Sequence, residues 1–215
     1  FFGPGASRPI LRGLGAERVQ VLTNGIGVID ASAASPDHQV TADGIDAEAV
    51  EILRGPAALA YGGQAIGGVV NVIDGLIKEE LPEEPVSGDL FTAYNSVNEG
   101  TELAGRGEFT AGQFVFTLSG SMRDFDNYDI PDFAESSLLR ALEEAEEEEH
   151  DDEDGHDEEE EVRGTVENSF VETLTLAAGI SWVGENGFFG VAVRQQTAEY
   201  GLPGHGHEHE EEEGE

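Results

Sequence analysis

Between residues 88 and 200 the chain alternates, residue by residue, between two chemistries, and no other feature restricts its fold so strongly. In FVFTLSGSMRD one parity holds Phe114, Phe116, Leu118, Gly120 and Met122; the other holds Val115, Thr117, Ser119, Ser121 and Arg123. TLTLAAGISW sets Leu174, Leu176, Ala178, Ile180 and Trp182 against Thr173, Thr175, Ala177, Gly179 and Ser181. GFFGVAVRQQ sets Phe189, Val191 and Val193 against Gly190, Ala192 and Arg194. TELAGRGEFT sets Leu103 and Phe109 against Glu102, Arg106 and Glu108, while DLFTAYNSV reads either way. A period of two belongs to strands, whose successive side chains point to opposite faces. About ten residues with one apolar and one small or polar face fit strands with lipid outside and water or a plug inside. A soluble sandwich with one wet face alternates in the same way, and on pattern alone both readings stand.

The connections add a topology. Gly112-Gln113 and VGENG (183–187) are short, whereas the connections after residue 123 and after residue 200 are long and acidic. Counted from residue 88, the long ones follow the third and fifth strands, so an up-and-down meander puts both on one side. Short turns on one side and long loops on the other is the asymmetry of outer-membrane barrels, with the long loops extracellular. Trp182, Phe188 and Phe114 then fall near the short-turn rim, where an aromatic girdle belongs. Within the first long loop, DFAESSLLRALEEAEEE predicts a helix with Asp132 and Glu135 as a capping box and Leu138, Leu142 and Ala145 on one face.

Upstream the style is different. Residues 1–75 are rich in glycine and small apolar residues, and RVQVLTNGIGVID (18–30) predicts two short strands around Asn24-Gly25. DAEAVEILRG (46–55) predicts a short helix capped by Asp46 running into a strand. GGQAIGGVVNVID (62–74) predicts a glycine-rich turn feeding the strand Val69–Ile73. The charged, proline-containing LIKEELPEEPVS (76–87) reads as a linker. This divides the chain into 1–75, a linker at 76–87, and strands over 88–215 with long acidic loops at about 124–163 and 201–215.

The net charge of −36 is concentrated: residues 143–161 hold 15 acidic side chains and residues 208–215 hold 6 of the 46. Such blocks repel themselves and are solvated. Without them 25 acids still face 10 bases, which excludes nucleic acid as a partner and favours cations. There are no cysteines, hence neither disulfides nor cysteine-ligated zinc. No apolar run reaches the ~18 residues of a spanning helix, and FFGPGASRPILRGLG does not read as a signal peptide. Histidines accompany both tracts: His150 and His156 lie within the first, and His205, His207 and His209 run into the second. Alternate residues of an extended chain point the same way, so the last three imidazoles can converge on one ion. A terminal His-rich tract can also be an affinity tag, but these histidines alternate with Gly and Glu and continue from a strand without a scar. Catalytic readings are weak. HEHEE lacks the second histidine of a His-Glu-x-x-His zinc signature, and no Ser/His/Asp spacing is present, so the chain is expected not to be an enzyme.

VEILRGPAALAYGGQAIGGVVNVID (50–74), preceded in order by RGLG and RVQVLTNGIG, resembles the C-terminal part of the plug domain of TonB-dependent outer-membrane receptors. The resemblance covers residues 1 to about 200. It implies a mixed α/β plug segment followed by antiparallel β-strands of a transmembrane β-barrel, about five of some 22 in the whole barrel. It also implies the outer membrane of a Gram-negative bacterium, contact with outer-membrane lipid, and coupling to the TonB complex through a segment further upstream. Arg54 falls where the family's plug arginine tends to face the barrel wall. Within the family, SPDH (35–38), YGLPGH and the histidine-rich loops look like the zinc-uptake receptors. That likeness implies a divalent metal ion, zinc above all, as transported ligand, with Asp37 and His38 among its ligands in the plug and no prosthetic group. The loop histidines would collect the ion and pass it inward, their glutamates concentrating cations at the entrance. An iron-chelate receptor for a siderophore or haem, and less directly a soluble metal-buffering or adhesive β protein, are the alternative readings.

Overall fold

The computed structural model describes residues 5, 8–28, 32, 35, 38–40, 42, 44–63, 65–133, 136–138, 140 and 163–203. Strands β1 (Val19–Thr23) and β2 (Ile26–Gly27) form the expected hairpin. At its turn Asn24 and Gly25 have φ of 50° and 77°, the left-handed pair that an Asn-Gly turn supplies most cheaply. β3 (Ala49–Leu53) and β4 (Gly68–Ile73) complete a four-stranded sheet in the order β2-β1-β4-β3, with β1 and β4 parallel. Its apolar centre is Leu22, Ala58, Ala65 and Val69, with Leu53 and Tyr61 packed against them. The helical turns described here, Ala16–Arg18 and Gly55–Tyr61, are of the 3-10 kind. The helix expected at Asp46 is absent: residues 44–48 form bends and turns before β3, because the Asp46 carboxylate binds another part of the chain.

Five long strands follow: β5 (Val86–Asn95), β6 (Gly100–Ala111), β7 (Phe114–Phe125), and, beyond the long loop, β10 (Val171–Gly184) and β11 (Gly187–Tyr200). All pair antiparallel in the order β11-β10-β7-β6-β5, an open sheet that forms a wall. The loop between β7 and β10 carries its own hairpin, β8 (Asp129–Phe133) with β9 (Arg163–Thr165). Asp132 belongs to β8 and pairs with Arg163 at 3.2 Å, so it does not cap a helix. Within this loop, helical backbone is described only at residues 137, 138 and 140, and Glu135, Leu142 and Ala145 lie outside the described residues.

The alternation comes out inverted relative to a soluble sheet. Along β10, Thr173, Thr175 and Ser181 are buried, whereas Leu174, Leu176, Ile180 and Trp182 are exposed. β7 does the same, burying Thr117, Ser119 and Ser121 and exposing Phe116, Leu118 and Met122. Small polar residues face the four-stranded sheet while the large apolar ones point away from it. That arrangement is stable only with hydrocarbon on the far side. Among the described residues no helix is long and apolar enough to cross a membrane, a statement about helices and not about strands.

One detail of the girdle differs from expectation. Trp182 pairs in register with both Phe114 and Phe189, and all three are exposed on the outer face. Phe188 instead sits opposite Val183, on the inward parity. The indole N–H of Trp182 donates to Gln113 at 3.1 Å, satisfying its polar group at the rim. The strand ends that lead to the two acidic tracts, Phe125 and Val171 for one and Tyr200 for the other, pair in one row at the same end of the sheet.

Candidate functional site

The inner face of the wall is a set of rows fixed by strand register, and the plug sheet docks onto them. In the middle row Arg106, Ser119, Ala177 and Arg194 lie side by side across β6, β7, β10 and β11. Two cations thus flank two small side chains, and the plug segment Asp46–Glu48 docks against them. Arg194 holds the Asp46 carboxylate with both terminal nitrogens, at 2.9 and 3.0 Å, and Asp46 is almost wholly buried. Arg106 donates to the Asp46 carbonyl at 2.9 Å, to Glu48 Oε2 at 3.2 Å, and to the Asp74 carbonyl.

Towards the short turns the wall becomes a notch for residues 75–78. The next row is Glu108, Thr117, Gly179 and Ala192, and a Cβ on Gly179 would overlap the Leu76 carbonyl. In the row below, Ser181 Oγ accepts the Lys78 N–H at 2.8 Å, and a Cβ on Gly190 would come within 2.5 Å of Ile77. Gly179 thus lets the segment's backbone approach the wall's, and Gly190 leaves room for the Ile77 side chain. The Lys78 ammonium, outside the membrane-crossing strands, bridges Glu48 at 2.7 Å and Glu108 at 2.8 Å. Burial alone would lower its pKa, but hydrogen bonds and attraction from the two glutamates outweigh that and hold it above the usual lysine value.

Towards the long loops, the row Glu102, Arg123, Thr173 and Ala198 includes an ion pair, Arg123 to Glu102 at 3.3 Å. Gln39 of the plug donates to Thr173 Oγ1 at 3.1 Å. Above it, His38 Nδ1 lies 2.9 Å from the hydroxyl of Tyr200, the last residue of β11. A cavity of about 400 Å³ opens beneath this corner, between Val21, Val50 and Val70 of the plug and Glu102 and Arg123 of the wall. A second, of about 210 Å³, lies between Thr23 and Val72 and the side chains of Arg194 and Gln196.

Of the seven residues expected to bind metal, His38 alone is described. Asp37, His150, His156, His205, His207 and His209 lie outside the described residues. Among the described residues no three His, Asp or Glu side chains are grouped to hold an ion. Arg54 is exposed. The fastening of Asp46, Glu48 and Lys78 to Arg106, Arg194 and Glu108 is not among the sequence expectations. The signal was present, since Arg106, Glu108 and Arg194 fall on the inward parity. A charge facing a plugged lumen needs a counter-charge from the plug.

Residues 1–69 match the family described as TonB-dependent Receptor Plug Domain. The vitamin B12 transporter BtuB of Photobacterium profundum is 30% identical over 117 residues, 54% of this chain and 19% of that protein. Among solved structures, the ferric enterobactin receptor PfeA of Pseudomonas aeruginosa superposes with a TM-score of 0.58 at 18% identity, covering 90% of this chain and 27% of that one. The siderophore receptor PirA of Acinetobacter baumannii gives 0.56 at 16% identity, covering 89% and 26%. The FrpB iron transporter of Neisseria meningitidis gives 0.58 at 15% identity, covering 92% and 27%. The chain therefore spans about a fifth to a quarter of the length of these relatives. Its first third is similar to that plug-domain family, the antiparallel strands that follow have the fold of the receptor barrels, and its place is the Gram-negative outer membrane. Its relatives are transporters and receptors, not enzymes.

Proposed function

We propose that the chain belongs to a receptor that imports a metal-bearing substrate across the outer membrane, driven through TonB. The observation carrying this reading is the chemistry of the plug's attachment. The plug meets the wall through the Asp46–Arg194 and Glu48–Arg106 pairs and a hydrogen bond to Thr173, and the linker after it through the Lys78–Glu108 pair and a hydrogen bond to Ser181. Polar contacts exchange for water at small net cost, so such a plug can come away from its wall without exposing an apolar interface. A plug that must move and return requires that property.

The substrate class best supported by the comparisons is a metal chelate, since the relatives are named for ferric enterobactin, siderophores and vitamin B12. A specific feature favours direct uptake of a divalent ion, zinc above all, as a second reading. His38 stands at the plug–wall corner, and the chain beyond its partner Tyr200 runs into His205, His207 and His209. Uptake of radiolabelled zinc, ferric enterobactin and vitamin B12 by cells carrying the whole receptor, with and without TonB, tests both readings. TonB-dependent accumulation of a chelate supports the first, and of free zinc the second. Accumulation of all three at a rate indifferent to TonB overturns the proposal.

A further inference from the structure

Tyr200 opens the YGLPGH stretch of the zinc-receptor likeness, with no role expected for its own side chain, and it makes the one side-chain hydrogen bond described for His38. Its hydroxyl lies 2.9 Å from Nδ1, and the two rings meet edge to face, 89° between planes with centroids 6.1 Å apart. The backbone of Tyr200 is held in register with Val171, so the hydroxyl is presented from the rigid wall. On the plug side, the His38 N–H donates to the Ser35 carbonyl at 3.3 Å, and two residues on the Val40 N–H donates to the Gly5 carbonyl at 3.3 Å. The contact described for the imidazole itself therefore comes from the wall.

A histidine binds a metal through one ring nitrogen, and the hydrogen bond made by the other decides which. With Nδ1 occupied by Tyr200, the lone pair available to an ion is on Nε2. The tautomer must then carry its proton on Nδ1 and donate it to the tyrosine oxygen. The edge-to-face contact limits rotation of the ring about this bond.

We propose that Tyr200 is a positioning residue for His38, fixing it as an Nε2 ligand for a divalent metal ion at the plug–wall corner. The proposal rests on the direct-ion reading above. The test uses zinc alone, titrated into the purified full-length receptor against a chromophoric chelator, in wild type, Tyr200→Phe, His38→Ala and the double variant. Phe retains the ring contact and loses only the hydroxyl, so zinc affinity should fall about tenfold, the lower end for loss of an orienting partner. His38→Ala should remove the site, and Tyr200→Phe should add nothing to it. A direct readout needs no variant: ¹⁵N shifts of the His38 ring in the zinc-loaded receptor should show Nδ1 protonated and Nε2 metal-bound. Metal on Nδ1 overturns the proposal, as does wild-type zinc affinity in Tyr200→Phe when His38→Ala is defective; in both cases the ion reading survives. Unchanged zinc binding in His38→Ala removes the ion reading and the role of Tyr200 together.

Discussion

Asp46 is a buried carboxylate whose side chain is 2% exposed and whose partner Arg194 retains 23%. The pair need not stabilise the protein relative to an apolar contact, because desolvation offsets the attraction. Removing one partner is different, since it strands the other charge. Arg194→Ala in the whole receptor is therefore expected to destabilise plug docking by about 3 kcal/mol. The measurement is the urea concentration at which the plug becomes protease-sensitive, and an unchanged midpoint would show the pair to be idle. Asp46→Asn combined with Arg194→Gln should recover part of the loss, because no charge is then stranded. Lys78 gives a pH dependence of definite sign. Its pKa is raised in the folded state, so its stabilising contribution is complete below the ordinary value of 10.5 and is lost as pH rises through the higher folded value. Plug protection should weaken in that alkaline window, and Lys78→Met should remove that part of the weakening. An identical alkaline profile in wild type and Lys78→Met would assign the effect to other groups.

At the scale of the strand, β10 shows what is legible in the sequence and what is not. Its alternation can be read directly, because each residue has one of two solvents, and Thr175 and Leu176 differ in chemistry as their surroundings do. Leu176 is 61% exposed near the middle of a 14-residue strand, at the depth of the hydrocarbon. Leu176→Arg should cost about 2–4 kcal/mol of barrel stability, while an arginine at Glu172, near the rim, should cost about 1 kcal/mol or less. Urea titration of the receptor in lipid vesicles measures both, and equal costs would mean that β10 does not lie across the bilayer. β5 is ambiguous in sequence because Leu90 and Phe91 put apolar side chains on both faces, and in this chain it is an edge strand with most residues exposed. The start of the β8–β9 hairpin reads locally as the cap of a helix. Asp132 and Glu135 have capping-box spacing, but Asp132 is held by Arg163, some thirty positions away, and local spacing carries no record of that partner. The same reason hides the docking of Asp46. A carboxylate before a periodic run looks like a cap until the arginine at position 194 is folded beside it. Of the expected metal ligands, the structure gives His38 a neighbour that spacing could not supply, 162 positions along the chain.

For the molecule as a whole, the two substrate readings divide on the acidic histidine tracts. If the receptor takes up a free divalent ion, the tracts at 150–161 and 205–213 act as collectors of low affinity and many sites, because closing chains of such high like charge on an ion costs conformational entropy. Collection matters when the ion is scarce and becomes irrelevant when the ion saturates the corner near His38. Deleting both tracts from the whole receptor should then slow zinc uptake several-fold at limiting zinc and leave it near wild type at excess. His38→Ala should reduce uptake at both concentrations, since no excess of ion replaces a lost ligand at an obligatory step. A chelate has its coordination sphere filled already and offers little to loop imidazoles, so under the chelate reading the deletion leaves uptake of the chelate unchanged at every concentration. Initial rates of radiolabelled zinc and ferric-chelate uptake across a concentration series separate these cases. Loss of zinc uptake at saturating zinc on tract deletion alone would make the tracts part of the obligatory route, and their role as collectors would be wrong.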